Sequence, residues 1–490
     1  MSKIRRFDEI ALGCTDATSE AMEFPHLLVD GYLDSHGLAA ELLTGHRFLV
    51  LGPKGSGKTA VAEHLRLVAA SDPTSFVTLC NLGDFPYSDF RSQLGSEVAR
   101  ERYPGGWSWL LMGAILSSFA RDAGARDEEE SLFRSVVEAL ARTGLFAVSD
   151  ETAKLGNPRG VRIKLGASLA FGVGGTFEFS SEPRLDSPAI PLSVLKHTAQ
   201  KFQSDSRHFL IIDGLDDILA QPEVRYDALA GLLYAVSDLN LTFEADKTPA
   251  KIILLCRTEL FERLPSANKN KMRHSSAIVL DWYDSPTNGE RCSLADLVNL
   301  RARISDPSIN DVFGVFFPEQ MTDGNRTKPT LQWLLDLTRF TPRDFIQLLT
   351  YIQERSGGTE GRLSSDVVRS GVRRYSQGYF VPEIRDELAG YVDPANIESV
   401  LGLFSTLKKP HFKYSELAEL AAHSQLGCLD LPSIMHALYE CSAIGNSFPY
   451  GNQGGHTFQF KYRNPTSSLN LAKGQVTVHK GLWKGLGVTY

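Results

Sequence analysis

The chain has 490 residues, 42% of them hydrophobic and 22% charged, the balance of a folded globular protein and not of a disordered one. Its 51 Lys and Arg stand against 58 Asp and Glu, a net charge of −7, which argues against coating nucleic acid by bulk charge but leaves room for a local basic patch. Six cysteines without a CxxC pair argue against a zinc ribbon or a disulfide-stapled scaffold and fit a reducing cytoplasm, and at roughly 150 residues per domain the length allows about three domains.

The opening MSKIRRFDEIALGCTD has basic residues but no apolar segment behind them, so no export signal is predicted. The most apolar stretch, Trp107–Ala120, is shorter than the roughly 18 residues that span a bilayer. It is interrupted by Ser108, Ser117 and Ser118 and reads as a buried helix. No membrane association is expected.

In chain order, His46–Leu51 reads as a buried strand, Lys58–Ala69 as a helix and Phe76–Leu82 as a second strand. Helical patterns fill most of 88–142, with a break expected at Pro104-Gly-Gly106. Over 160–180 the apolar residues fall on odd positions around Gly174-Gly175, the pattern of a β-hairpin. A helix at 188–201 precedes three more buried strands, Phe209–Ile212, Lys251–Cys256 and Ala277–Leu280, with helices between them. Alternating strand and helix over 46–281 predicts a parallel sheet with helices on both faces. Beyond Trp282 only helices are expected, at 294–303, 330–340, 342–354 and 364–375. Helices at 397–407, 414–422 and 431–441, then a Gly-rich two-strand segment ending at Tyr462, follow the order of a winged helix. The tail from Val476 alternates and then turns helical, with Leu482 and Trp483 expected to dock on the body and His479 to pack.

Gly52, Pro53, Lys54, Gly55, Ser56, Gly57, Lys58 and Thr59 fit GxxxxGK[ST] without a mismatch, between a strand and a helix, and with Ala60 they form the candidate nucleotide-binding stretch. Glycines let backbone N–H groups curl around phosphate oxygens, Lys58 supplies a charge for the β- and γ-phosphates, and Thr59 offers a hydroxyl to Mg²⁺. The positive N-terminal end of the helix adds to the attraction. The strand FLIID ends in Asp213, placing a carboxylate for Mg²⁺ at the edge where open α/β sheets bind ligands. Asp216 and Asp217 are candidates for polarising an attacking water, and capping the next helix is the competing role for either. Arg257 follows the next strand and is a candidate γ-phosphate reader, against the alternative of a surface Arg. Arg343, in TRFTPRDF, starts a helix of the second unit and is either a second phosphate contact or a solvent-facing residue.

These features together resemble the AAA+/STAND group of P-loop ATPases. Within it the chain is similar to stand-alone bacterial ATPases related to origin-recognition-type proteins. Their GxKGSGKT loop, DGLDD strand, strand-end Arg with ERL and KNK, and closing VHxGL correspond to residues 52–59, 213–217, 257–271 and 478–482. The resemblance implies a P-loop NTPase sheet, a helical lid and a winged helix, with ATP and Mg²⁺ as ligands. It implies ATP binding and switching; with no residue marked as an arginine finger, slow hydrolysis is expected, and the chain reads as a cytoplasmic switch that acts on a protein partner or on self-assembly. Such groups often sit in antiviral or mobile-element loci, so it extends to antiviral defence.

The expected order is an arm (1–25), a P-loop core (26–288) with an insertion at about 83–205, a helical lid (289–393), a winged helix (394–465) and a docking tail (466–490). The insertion follows from the 155 residues between Lys58 and Asp213. No residue is marked as an arginine finger in trans; Arg263 and Arg273 are the nearest candidates. Asn268-Lys-Asn-Lys271 lacks the Asp that guanine requires, which disfavours a GTPase. The main rival is an ATP-dependent DNA-binding regulator or initiator. Against it, Leu431–Cys441, the presumed recognition helix, has no Lys or Arg. Lys408, Lys409, Lys413, Lys461 and Arg463 form at most a modest basic rim.

Overall fold

The computed structural model describes residues 4–34, 37–83, 85, 87, 99–143, 146–148, 159–165, 190–215, 226–265, 269–283, 292–324, 326–389, 392–424, 430–450, 455–472 and 475–488. Asp216, Asp217 and residues 166–180 of the expected hairpin lie outside them. The fold is α/β, with a parallel sheet clothed by helices, a helical segment and a winged helix. The chain forms two compact units: residues 34–53 with 58–280, and residues 1–33 with 54–57 and 281–490.

The first unit is built on a seven-stranded sheet. Its strands are β1 (Leu49–Gly52), β2 (Ser75–Asn81), β4 (Phe146–Val148), β5 (Gly160–Leu165), β7 (Arg207–Asp213), β8 (Ala250–Arg257) and β9 (Ala277–Val279), in the order β4-β5-β2-β7-β8-β1-β9. All neighbours are parallel except β4 and β5. A ribbon of β3 (Arg126–Asp127) and β6 (Phe202–Gln203) stands apart. The central strands are apolar at consecutive positions because both faces are covered: Leu49, Leu210, Ile212 and Leu254 join one core, while Val50, Phe209, Ile211 and Ile253 are equally buried.

One expectation is corrected in this unit. Helix Ala99–Phe119 runs through Pro104 without a break. Pro104 lies near the helix start, and tertiary packing outweighs the lost N–H: Trp107 bonds the Ala228 carbonyl at 2.9 Å, and Gly231 leaves no room for a Cβ against Tyr103. Strand β5 has the upstream β4 as its antiparallel partner. The two strands extend the parallel sheet past β2, so this part of the insertion widens the core.

In the second unit, helices Ser293–Ser305, Pro342–Ser356 and Ser365–Tyr375 share one core with the winged helix, and the N-terminal arm joins them. Phe7 is fully buried against Phe316 and Phe317, and Glu20 pairs with buried Arg301 at 2.6 Å. Strands do not stop at Trp282. A hairpin of β10 (Gln320–Asp323) and β11 (Arg326–Pro329) turns at Gly324, whose φ of 55° suits a tight two-residue turn. The helix predicted over 330–340 is shorter, Thr330–Leu335, and Phe340 adopts a left-handed φ of 54°.

The winged helix comprises helices Pro394–Leu407, Tyr414–Ala422 and Leu431–Glu440 with β12 (His411–Lys413), β13 (Ile444–Tyr450), β14 (Gly455–Gln459) and β15 (Gln475–Val478). The sheet order β12-β15-β13-β14 puts a tail strand in the interior, so the sheet is not complete by residue 465. Val476 and Val478 are fully buried, which explains the alternation there. The last helix, Lys480–Leu486, packs on a π-helical turn, Ser376–Phe380. Gly481 and Gly485 permit that approach, since a Cβ on Gly481 would lie 2.7 Å from the Leu337 carbonyl.

Candidate functional site

The parallel strands deliver their C-terminal residues to one sheet edge. There β1 ends at Gly52, β2 at Asn81, β7 at Asp213 and β8 at Arg257, with Gly52 in register with Arg257 and Asn81 with Asp213. Because β8 lies between β1 and β7, Arg257 falls between the phosphate loop and the acid. This is the crevice where open α/β sheets bind ligands.

On the sheet unit, Thr59 Oγ1 donates to Asp213 Oδ2 at 2.7 Å, across 154 residues of sequence. Asp213 Oδ1 accepts from the Gly214 N–H at 2.8 Å. Gly214 has φ 80°, and a Cβ there would collide with Asn81 Oδ1, so the glycine is required twice. Lys58 is buried, and its ammonium folds over its own loop onto the carbonyls of Gly52 (2.9 Å) and Pro53 (3.0 Å). Ala60 follows in the first turn of the helix. Arg257 precedes helix Thr258–Arg263 as its N-cap residue.

Residues Lys54–Gly57 belong to the second unit. Gly55 and Gly57 have φ of 80° and 95°, the left-handed backbone a curled loop needs. A Cβ on Gly55 would press within 3.0 Å of Arg343 Cβ and 3.2 Å of Thr341 Oγ1. The Gly55 carbonyl accepts the Arg343 N–H at 3.3 Å, the Ser56 carbonyl accepts the Trp282 indole N–H at 2.8 Å, and Lys54 pairs with Glu383 at 2.8 Å. Ser56 Oγ is buried with no hydrogen-bond partner. Within this stretch, backbone free of Cβ atoms and an orphaned hydroxyl suit a phosphate chain. On the sheet unit, the Thr59 hydroxyl and Asp213 carboxylate are the hard oxygen donors that suit Mg²⁺.

Arg343 is placed by local sequence: Thr341 caps helix Pro342–Ser356 through its hydroxyl, and Pro342 occupies the first turn. Its guanidinium donates from Nε to the Thr15 carbonyl at 3.2 Å and lies 3.9 Å from Glu383. It is therefore held against protein on one side while remaining 31% exposed. Beneath it is a network that sequence reasoning missed. Arg339 donates to Asp344 through Nε (2.9 Å) and Nη2 (3.0 Å) and to Glu387 through Nη1 (2.5 Å), and Tyr379 donates to Asp344 at 2.9 Å. Burial alone would raise the Asp344 carboxyl, but the Arg339 charge and hydrogen bonds outweigh it and hold the group below the usual range. Asn81 and Glu383 were missed too; only the polar end of a buried strand signalled Asn81. Arg273 is taken up by Glu262 at 2.5 Å.

A Ser–His–Asp line lies at the opposite end of β7. Ser118 Oγ is 3.0 Å from His208 Nδ1, and His208 Nε2 is 3.4 Å from Asp122 Oδ2. Ser118 and His208 are fully buried, with Phe76 and Phe119 against the imidazole, so no substrate reaches the hydroxyl and the cluster is structural. Among the described residues, no three His, Cys, Asp or Glu side chains are grouped to hold a metal ion. None of the described helices is long and apolar enough to cross a membrane. The five described cysteines form no disulfide.

No family of known sequences and no curated protein matches the chain. Among solved structures it is similar to the ORC1 protein of Aeropyrum pernix in complex with DNA (13% identity, TM-score 0.36, 95% of this chain and 94% of that one). It is also similar to the ORC2 protein of the same organism in ADPNP–ADP complexes (12%, 0.38, 95% and 98%) and to Cdc6p of Pyrobaculum aerophilum (12%, 0.33, 94% and 96%).

Proposed function

We propose that the protein is an ATP-binding and slowly ATP-hydrolysing switch of the AAA+/STAND type that controls self-assembly or the binding of a protein partner. The observation that carries this reading is the 2.7 Å contact between Thr59 of the phosphate loop and Asp213 at the same sheet edge. Neither residue needs the other for folding by any local rule, and the pair supplies the two protein oxygens that a Mg²⁺–nucleotide requires.

In this reading, Gly52–Ala60 wraps the phosphates and Lys58 moves from its loop carbonyls onto them. Thr59 and Asp213 hold Mg²⁺, which when bound neutralises phosphate charge. Asp216 and Asp217 orient water, and Arg257 reads the γ-phosphate from between the loop and the acid. Arg343, packed on Gly55, transmits a change in the loop to its helix and, through Glu383, to Lys54. Loss of the γ-phosphate then resets the switch. A place in antiviral defence rests on family resemblance alone and is proposed on that basis.

A protein partner is favoured over DNA by the winged helix itself. Helix Leu431–Glu440 has no Lys or Arg, and three of the five rim cations are paired with carboxylates: Lys461 with Glu440 (3.2 Å), Lys409 with Glu416 (2.9 Å) and Arg463 with Asp336 (3.6 Å). The test is release of phosphate from ATP with and without Mg²⁺, together with the mass of the particle in ATP and in ADP. Asp213→Asn should abolish turnover while retaining nucleotide. Equal turnover in Asp213→Asn, or phosphate release indifferent to Mg²⁺, would refute the assignment.

A further inference from the structure

A single exposed apolar side chain is ordinary, whereas a cluster of them marks a contact. Among the described residues, eight large apolar side chains are exposed, and six of them gather in two places. Met22, Phe24 and Val29 lie on the N-terminal arm, and Tyr226, Tyr234 and Leu241 on helix Tyr226–Asp246 of the sheet unit.

That helix borders an open groove of about 1050 Å³ at the sheet edge opposite Gly52 and Asp213, where β7, β8 and β9 begin. Tyr234 and Leu241, 61% and 65% exposed, stand on its wall two helical turns apart, roughly 10 Å along the axis. Four cations line the groove, Arg207, Lys247, Lys251 and Lys271, against two carboxylates, Asp238 and Glu244. Asp238 is itself taken up by Lys196 at 3.4 Å. Lys251 donates to the neutral carbonyls of Leu42 (2.7 Å) and Gly45 (2.8 Å), which leave its charge in place. On a chain with a net charge of −7, this groove is locally positive.

The arm has the opposite sign. From Phe7 to Leu33 there are six Asp and Glu and no Lys or Arg. Arg6 takes up Asp8 and Glu9, and Arg301 takes up Glu20. Exposed Glu23 and Asp30 remain, beside exposed Met22, Phe24 and Val29.

We infer that the arm of one chain docks in this groove of a second copy, with its apolar side chains against Tyr234 and Leu241 and its carboxylates toward Lys247 and Lys271. The apolar anchors supply affinity, and the opposed charges set the orientation. Because the two patches differ, the contact is head-to-tail: each pair keeps a free groove at one end and a free arm at the other, so assembly continues into a ring or a filament. The inference gives the self-assembly proposed above a surface and rests on that part of the reading alone, since neither patch contains a residue of 52–60.

The test is the particle mass of the full chain, measured by sedimentation across concentration with and without ATP and Mg²⁺. Mass should rise beyond a dimer in at least one of these conditions and fall back as salt is added. Met22→Lys, which spoils the arm, and Leu241→Glu, which spoils the groove, should each weaken association at least about tenfold while remaining folded by circular dichroism. Mixed together, the two variants should form a one-to-one pair and nothing larger, because each supplies the half that the other lacks. Mass and ATP binding are read separately, so an absent contact and a mistaken phosphate loop give different results. A monomer in every condition, association that stops at a dimer of the natural chain, association unmoved by salt or by either variant, or a mixture no heavier than its components would each overturn the inference.

Discussion

Removing the Asp344 carboxylate should destabilise the second unit more than any other single change at the phosphate-loop face. Asp344 is fully buried and accepts four hydrogen bonds: from Arg339 Nε (2.9 Å), Arg339 Nη2 (3.0 Å), the Arg339 N–H (3.0 Å) and the Tyr379 hydroxyl (2.9 Å). In Asp344→Ala, Arg339 remains buried with only Glu387 close and Glu383 at 3.8 Å. Breaking a buried pair from one side costs about 3–5 kcal/mol, and Asp344→Asn, which keeps the shape and part of the bonding, should cost less. Urea unfolding followed through Trp282, Trp333 and Trp483, all in this unit, measures the loss. A cost below about 1 kcal/mol for the alanine variant would refute the reasoning, because exposed ion pairs are worth that little. The pH dependence has a definite sign. Since the folded carboxyl sits below its ordinary value, its stabilisation is complete above about pH 4 and is lost as pH falls through the lower folded value.

Three further outcomes are expected. Burial lowers His208 to about 4, so the sheet unit should lose up to about 3 kcal/mol as pH falls from about 6.5 to 4, read through Trp107 and Trp109. His208→Phe, which keeps the stack on Phe76, should flatten that slope. Gly481→Val should lift the last helix from Leu337 and Phe380 at a cost of about 1–3 kcal/mol, visible as early proteolytic release of the tail. Gly214→Ala forces a left-handed alanine and displaces the Asn81 amide; ATP turnover should fall while the fold, checked by circular dichroism, persists.

The features legible in the sequence were those set by short-range rules. The phosphate loop showed because glycine spacing and a flanking strand and helix are local, and the buried strands because apolar runs of four or five residues, too short for a helix, fit strands covered on both faces. Pro104 misled because its cost is local while the packing that outweighs it, at Ala228 and Gly231, comes from a distant helix. Strand β15 carried only a weak alternation; its place between β12 and β13 depends on partners some 30 and 60 residues upstream. The contact of Thr59 with Asp213 was expected from motif chemistry, whereas the links of Lys54 to Glu383 and of Arg339 to Asp344 have no sequence signal beyond complementary charge.

The central claim is that residues 52–60 bind the phosphates of ATP. Equilibrium binding of ATP in the presence of Mg²⁺, compared between the natural chain and Lys58→Ala, tests it most directly. The natural chain should bind saturably, and the variant, folded by circular dichroism, should lose binding by at least about a hundredfold. Unchanged affinity in the variant would contradict the account.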